Sequence, residues 1–193
     1  YAKENKIDFI ICDHHKPGIN MPNAVAILNP KKNNCNYPFK DLCGCGIGFK
    51  LVQALSMQWK INFEIVADYL DLVAIATVSD LVPIVGENRI LCYHGMKKLN
   101  ETNKPGLKKF LSLSKSTINT SDISFKIAPR INSAGRINHS LEAFKLLTYN
   151  EIIDVEKQFI KIEKFNENRR LIDEETTKEA IEIVEKSKIK SNS

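Results

Sequence analysis

A carboxylate and two imidazoles stand side by side at Asp13, His14 and His15, directly after the apolar, isoleucine-rich residues 7–12. Such a run predicts a buried strand of a parallel sheet. In open α/β sheets, ligands bind just beyond the carboxyl ends of the strands, so these side chains lie where chemistry is usually done. The placement favours a metal or phosphate site over the alternative, a loop with two solvated histidines.

A further carboxylate, Asp80, follows residues 63–77, which are almost wholly apolar from position 69 onward, and precedes Pro83, which blocks regular continuation of a helix. The pattern predicts one buried helix that is capped by Asn62 and delivers Asp80 at its C-terminal end. Whether Asp80 then caps the polypeptide or binds a ligand stays open on the residues alone.

A second dense polar stretch lies at residues 129–136, where Arg130, Asn132 and Arg136 stand among small residues. Arginine suits a fork-like grasp of phosphate or carboxylate oxygens better than lysine does. The small neighbours let the backbone approach a ligand closely. We therefore favour an anion site over the alternative, a surface loop whose arginines cap helix ends.

The remaining patterns predict the elements that must position these groups. Residues 24–28 form a second short apolar run, and residues 42–51 open a helix that continues to Met57. Residues 86–99 predict an amphipathic helix, and from about residue 150 a three- and four-residue apolar spacing predicts one long, charged helix. A parallel sheet needs more strands than these, and upstream sequence is their simplest source.

The glycines and cysteines around the first long helix allow two further interpretations. Glycines at positions 44, 46 and 48 could cradle a phosphate through exposed backbone N–H groups, but close packing of the helix on the sheet is favoured. Cysteines at positions 35, 43 and 45 could suggest zinc, but they lack the paired C-x-x-C form, and this disfavours a zinc site.

The composition of the 193-residue chain is that of an ordinary globular protein of one or two domains, with a net charge of +5. No apolar run approaches the length that crosses a bilayer, and no signal-peptide pattern begins the chain, so a cytoplasmic protein is the default expectation. The five cysteines form no regular framework, which predicts reduced thiols. The chain opens with Tyr1 rather than Met, as though cut from a longer protein.

The triplet Asp13-His14-His15 after a strand resembles the signature of the DHH phosphoesterase superfamily. Further stretches together resemble the RecJ family of single-strand-specific exonucleases within it. These stretches are residues 27–31, 35–40, 42–46, 76–80, 87–89 and 128–136. The last is the most discriminating, because smaller members that act on short oligonucleotides, pAp or pyrophosphate share the triplet but not this set.

The resemblance implies roles for particular side chains. His14 and Asp80 match metal-ligand positions, while His15 matches the imidazole that faces the scissile phosphate. Asp13 matches the carboxylate that supports the histidines or the metal. The positions that match substrate-phosphate or DNA contacts are Arg130, Asn132, Arg136 and, more weakly, Arg89.

The resemblance also implies an architecture. The expected fold class is α/β, with a partial DHH-type parallel sheet flanked by helices, then a helical region and a long C-terminal connecting helix. Residues 1–149 would form a partial DHH domain without its N-terminal metal motifs. Residues 150–193 would form a long interdomain helix leading to a DHHA1 domain that the sequence lacks.

The implied function is metal-dependent 5′ to 3′ exonuclease activity on single-stranded DNA in DNA repair and recombination. Its cofactor would be Mn²⁺ or Mg²⁺ in a two-metal site completed by residues upstream of this chain. Its partners would be single-stranded DNA and other recombination or single-strand-binding proteins, with no membrane. The alternatives are a DHH phosphoesterase acting on short oligonucleotides or pAp, and a non-catalytic nucleic-acid-binding relative. The isolated chain is expected to be inactive.

Overall fold

The structure, a computed structural model, describes residues 1–137 and 140–191. The chain divides into two compact units. The first comprises Tyr1–Thr102 with Ser116–Ser124, and the second comprises Asn103–Lys115 with Phe125–Ser193. The predicted division at residue 149 concerns the domains of a whole protein and stays a prediction.

The first unit contains the two predicted strands, each shorter than expected. Strands β1 (Ile10–Cys12) and β2 (Ala26–Leu28) pair in parallel, with Cys12 opposite Leu28. The pairing extends past both ends, since the N–H of Val25 donates to the Phe9 carbonyl and that of Asp13 to the Leu28 carbonyl. The sequence pattern therefore identified the sheet and its direction.

The expectation that β1 is buried is wrong. Ile7 and Phe9, which precede the strand, and Ile10, its first residue, are each about half exposed. Within the described residues β1 pairs only with β2, so one edge of the strand and part of its face have no cover. An apolar run indicates that a strand favours burial, but the strand is buried only where neighbouring elements cover it.

Helices make up most of the rest of the described chain. They are α1 (Gly44–Gln58), α2 (Phe63–Ala67), α3 (Leu70–Ser79), α4 (Gly86–Asn100), α5 (Pro105–Leu111), α6 (Thr120–Asp122), α7 (Ala128–Ile137), α8 (Leu141–Thr148) and α9 (Ile152–Ser191). A π-helical turn at Ile123–Ile127 joins α6 to α7. No helix in residues 1–137 and 140–191 is long and apolar enough to span a membrane.

The single helix predicted over residues 63–77 is in fact two. Asn62 caps its start as expected, its side-chain oxygen accepting the N–H of Glu64 at 3.0 Å. The helix then breaks at Asp68 and Tyr69, and the Asp68 carboxylate pairs with Lys98 of α4 at 2.8 Å. The break separates the half-exposed α2 from α3, which packs between α1 and α4.

The core of the first unit lies where α1, α2, α3 and α4 meet the sheet. Its fully or nearly buried members are Leu42, Ile47, Phe49, Val66, Ala67, Leu70, Val73 and Leu91, with Cys12, Leu28, Tyr37 and Phe39 packed against them. The ends of both strands therefore rest on the same core as the helix that precedes Asp80.

In the second unit, α5, α7 and α8 pack against the first turns of α9. The rings of Phe110 and Phe159 meet edge to face with centroids 5.8 Å apart. The long C-terminal helix is confirmed from Ile152 onward, and its side chains are exposed from residue 170 to residue 187. The last two residues of the predicted helix, 192 and 193, lie outside the described residues.

The polar stretch at residues 129–136 is helical, which excludes the alternative of a surface loop. It forms most of α7, which follows the π-helical turn directly. A proline destabilises a helix least where the regular hydrogen bond to the fourth preceding residue is already interrupted. The π-helical turn before Pro129 provides such an interruption. The helical run that leads into α7 starts at a capping box between Asn119 and Asp122.

Candidate metal and phosphate site

The structure brings His14 and Asp80 together although they are far apart in the sequence. His14 lies just past the end of β1, and Asp80 is the C-terminal cap of α3. The Nε2 atom of His14 is 3.2 Å from the Oδ2 atom of Asp80. The His14 side chain is only 14% exposed, and its Nδ1 atom is buried without a hydrogen-bond partner among the described residues.

Asp13 and His15 form a second pair beside the first. The Nδ1 atom of His15 lies 2.7 Å from Oδ1 of Asp13. An ionised carboxylate can only accept, so Nδ1 carries the proton and Nε2 is left on the open side of a ring that is 78% exposed. This hydrogen bond lowers the pKa of Asp13 and keeps its carboxylate ionised. The ring centroids of His14 and His15 are 4.4 Å apart.

The N-terminus of α1 lies against this cluster. A side chain at Gly44 would meet the His14 ring at 3.7 Å, so the helix start and the imidazole are in van der Waals reach. Cys43 caps the helix, its sulfur accepting the N–H of Gly46, and lies 3.4 Å from the Thr77 hydroxyl on α3. These contacts tie the start of α1 to the helix that carries Asp80.

Two buried asparagines that sequence reasoning did not single out as functional contact the cluster or the segments that flank it. Asn29, after β2, donates to the carbonyl of His15, and Asn88, on α4, donates to the carbonyls of Asp41 and Pro83. Both belong to stretches that carry the family resemblance. That membership is the signal by which they could have been found.

The arginine-rich helix α7 belongs to the second unit, and its polar residues differ in exposure and in their contacts. The guanidinium of Arg130 makes a forked ion pair with Glu163 of α9, and its Nη1 donates to the Lys126 carbonyl at 2.7 Å. Asn132 and Arg136 are exposed. The roles predicted for these three residues stay predictions, with Arg130 already engaged by a carboxylate.

Arg89 is exposed on the first turns of α4. It lines an open groove of about 520 Å³ together with Tyr93, Met96 and Lys97. The ammonium of Lys97 lies 4.4 Å from the Tyr93 ring centroid. A cation and an aromatic ring on one exposed helix face are compatible with the predicted nucleic-acid contact, whose role stays a prediction.

The donors present suit a hard divalent cation but do not complete its coordination. Carboxylate oxygen and imidazole nitrogen together are ligands that Mn²⁺ accepts, and Mg²⁺ prefers oxygen. Among the described residues, no group of three or more histidine, cysteine or acidic side chains converges closely enough to hold a metal. His14 and Asp80 could therefore supply only part of a ligand set, and the cysteines among the described residues offer no alternative one.

Comparison with known proteins identifies the type of fold. Residues 1–77 match the DHH family, N-terminal domain. A crystal structure of the exonuclease RecJ bound to manganese superposes with a TM-score of 0.82 at 26% identity, over 92% of this chain and 45% of that one. The RecJ of Thermus thermophilus in complex with Mn²⁺ gives a TM-score of 0.80 at 26% identity, over 91% and 26%. The fold is DHH-type.

The sequence relatives are more specific. The chain is 41% identical over 187 residues to the single-stranded-DNA-specific exonuclease RecJ of Bacillus subtilis, spanning 95% of this chain and 23% of that protein. It is 34% identical over 199 residues to the enzyme of the same name from Escherichia coli, spanning 96% and 34%. The predicted resemblance is confirmed: the chain is RecJ-like over nearly all its length, and it spans only about a quarter to a third of these relatives.

Proposed function

We propose that this chain supplies part of the catalytic core of a metal-dependent exonuclease. That enzyme would degrade single-stranded DNA from the 5′ end during DNA repair and recombination. The observation that carries the proposal is the 3.2 Å approach of His14 Nε2 to Asp80 Oδ2 beside the Asp13–His15 pair. The names of the relatives support the substrate, and the family resemblance supports the polarity. A cytoplasmic location and single-strand-binding or recombination partners belong to the same proposal.

His14 and Asp80 would hold Mn²⁺ or Mg²⁺, and the imidazole favours Mn²⁺. A bound ion of this kind lowers the pKa of a water ligand and balances charge on a phosphoryl group. The two RecJ structures with manganese support this choice of ion. Further carboxylates from outside the described residues would complete the two-metal site.

His15 would face the scissile phosphate. Asp13 accepts the hydrogen bond from Nδ1 and fixes the tautomer, so the exposed Nε2 is the atom that can hydrogen-bond a phosphoryl oxygen or move a proton. Asp13 acts through His15, because its Oδ1 atom is occupied by this contact. The Asp13 carboxylate therefore orients the His15 ring from the Nδ1 side and leaves the Nε2 side free of its negative charge.

Exposed Asn132 and Arg136 on α7 and exposed Arg89 on α4 would contact substrate phosphates. Such contacts contribute affinity that falls as salt rises, and they carry no sequence preference. Arg130 would reach a phosphate only by giving up Glu163, so its first role is to fix α7 on α9.

The test uses the complete encoded protein, Mn²⁺ and end-labelled oligonucleotides. We expect 5′-labelled single strands to release labelled mononucleotide, with duplexes resistant. Replacing His15 by Ala should abolish cleavage and spare most DNA binding. The matched control is His94→Ala, an exposed histidine on α4, which should keep full activity.

Three outcomes would redirect the assignment. Unchanged turnover in H15A removes His15 from the mechanism. Preference for dinucleotides or pAp over long strands would favour a phosphoesterase of small substrates. Strand binding without any metal-dependent cleavage would favour a non-catalytic relative.

A further inference from the structure

Two buried asparagines each hold a segment that carries one of the candidate ligands. We propose that Asn29 and Asn88 are positioning residues whose side-chain amides keep His14 and Asp80 apposed. The consequence for metal binding rests on the proposed function, whereas the effect on the histidines does not. Neither asparagine touches a reacting group, so both act through the backbone that they hold.

Asn29 fixes the histidine segment. It is 4% exposed at the end of β2, and its Nδ2 donates to the His15 carbonyl at 2.9 Å. Its Oδ1 accepts the backbone N–H of Lys31 at 2.9 Å, so both ends of the amide are used. Pairing with β2 ends at the N–H of Asp13. Beyond that point Asn29 is the side chain that ties the His15 backbone to the end of β2.

Asn88 fixes the aspartate segment. Its side chain is fully buried on α4, and its Nδ2 donates to the Pro83 carbonyl at 3.0 Å and the Asp41 carbonyl at 2.7 Å. Both partners are carbonyl oxygens, so the amide must present its NH₂ to them. One side chain therefore joins the segment after Asp80 to the segment that leads into α1, where a Cβ atom at the first residue, Gly44, would lie 3.7 Å from the His14 ring.

The backbone after Asp80 needs such a hold. Leu81 has a φ of +56°, in the left-handed region that a leucine adopts only when its surroundings enforce it. The chain turns there from α3 toward Pro83, where Asn88 holds it. If the hold were lost, the segment could relax and carry the Asp80 carboxylate away from His14.

The chain offers a matched control in Asn100, on the same helix as Asn88. Its amide also donates to two backbone carbonyls, those of Met96 and Ile118, and its oxygen accepts the N–H of Ile118. These partners are remote from the ligand-bearing segments in the sequence, at the other end of α4. Loss of its donor should lower stability without moving the candidate ligands.

The deciding variant is Asn29→Asp in the complete encoded protein. It keeps the shape and the acceptor for Lys31, removes the donor to His15, and adds a negative charge that by itself would favour a cation. Loss of supporting contacts around metal ligands typically weakens metal binding by about 10- to 100-fold. A drop of this size despite the added charge can therefore be assigned to lost positioning. Asn88→Ala is the second variant, and Asn100→Asp is the control.

Three measurements separate positioning from general destabilisation. They are the Mn²⁺ dissociation constant from electron paramagnetic resonance of free Mn²⁺, the histidine ring resonances of the metal-free protein, and the melting temperature. We expect N29D and N88A to weaken Mn²⁺ binding by about tenfold or more and to shift the His14 and His15 resonances. The His94 resonances should stay in place, and N100D should change only the melting temperature.

Two results would overturn the proposal. One is a folded N29D protein with wild-type Mn²⁺ affinity and unchanged His14 and His15 resonances. The other is an equal change of both quantities in N100D. If the wild-type protein binds Mn²⁺ but cleaves no single-stranded DNA, the proposed function fails, while the resonances still decide the positioning of the histidines.

Discussion

Gly95 of α4 lies directly against the backbone of Leu70 at the start of α3. A Cβ atom at Gly95 would stand 2.3 Å from the Leu70 carbonyl oxygen and 2.7 Å from the Cβ atom of Ala74. The two helices thus meet backbone to backbone at this point. Because α3 carries Asp80 and α4 carries Asn88, this contact sets the spacing on which the candidate site depends.

Replacing Gly95 by Ala should destabilise the first unit. The new methyl group must push two helix backbones apart, which typically costs about 1–3 kcal/mol of unfolding free energy. Urea unfolding followed by circular dichroism measures this change. The matched control is Gly48→Ala in α1, where a Cβ meets nothing within 4 Å and should stabilise by up to about 1 kcal/mol through helix propensity. A neutral G95A would show that α3 and α4 are not in this contact.

The ion pair between Arg130 and Glu163 should matter for stability more than for DNA binding. Its forked geometry joins α7 to α9, and a bidentate, partly buried pair is worth about 1–2 kcal/mol. We expect Arg130→Ala and Glu163→Ala each to lower the unfolding free energy by about that amount, and the double variant to cost little more than either one. Urea unfolding of the three variants gives the coupling.

Arg136→Ala provides the contrasting case on the same helix. Its side chain is exposed, so the unfolding free energy should hardly change. If Arg136 contacts a phosphate, its loss should lower the affinity for single-stranded DNA. The plot of log affinity against log salt concentration should also become less steep, by the amount that corresponds to about one phosphate contact. A loss of DNA affinity in R130A equal to that in R136A would instead assign Arg130 to DNA binding.

The contact of the Glu142 carboxylate with Lys161 and Gln158 in the second unit should be sensitive to acid. Hydrogen bonds from Lys161 and then Gln158 lower the pKa of Glu142 to about 2, from an ordinary value near 4.5. A lowered folded-state pKa stabilises the protein above the unfolded-state value, and the contribution is lost as the pH falls from about 4.5 toward 2. Stability should therefore decrease on acidification through this window.

Glu142→Gln isolates this contribution. The variant should be less stable than the wild type at pH 6, and the difference should shrink steadily as the pH is lowered to 3. Urea midpoints measured at half-unit steps provide the comparison. A difference that stays constant over this range would mean that the Glu142 carboxylate is not held by Lys161 in solution.

Local pattern was sufficient for part of the fold. The apolar spacing of α4 and α9, the Asn62 cap and the two short strands depend on residues close together in sequence, and each was predicted. The position of His14 beyond the end of a strand predicted a site there, while the residues alone left open whether Asp80 binds a ligand. The family resemblance supplied the pairing of these two residues in particular.

Other features depend on neighbours that no local pattern encodes. Residues 63–77 are mostly apolar, and the break at Asp68 is visible only with its partner Lys98 on α4. Residues 129–136 contain Pro129 and Gly135, which are typical of a loop. The π-helical turn that precedes them nevertheless allows the chain to continue as helix α7. The contacts of Asn29 and Asn88 likewise exist only once distant segments have met. Sequence therefore located the chemical groups but not the side chains that hold them.

The isolated 193-residue chain is expected to bind Mn²⁺ weakly and not to hydrolyse single-stranded DNA. Among the described residues no group of three or more histidine, cysteine or acidic side chains converges, so water would fill most of the coordination sphere of an ion held by His14 and Asp80. We expect a dissociation constant on the order of 10⁻⁴ M or weaker, as for sites with few protein ligands. Titration followed by electron paramagnetic resonance gives the affinity, and a nuclease assay at saturating Mn²⁺ gives the activity.

Asp80→Asn is the control for that measurement, because it keeps the shape of the side chain and removes the charge. It should abolish the residual Mn²⁺ binding if Asp80 is a ligand, and leave it unchanged if the ion binds elsewhere on the surface. Robust Mn²⁺-dependent cleavage by the isolated wild-type chain would contradict the expectation outright. It would mean that two protein ligands and the Asp13–His15 pair suffice for catalysis, and that the additional carboxylates we propose are not required.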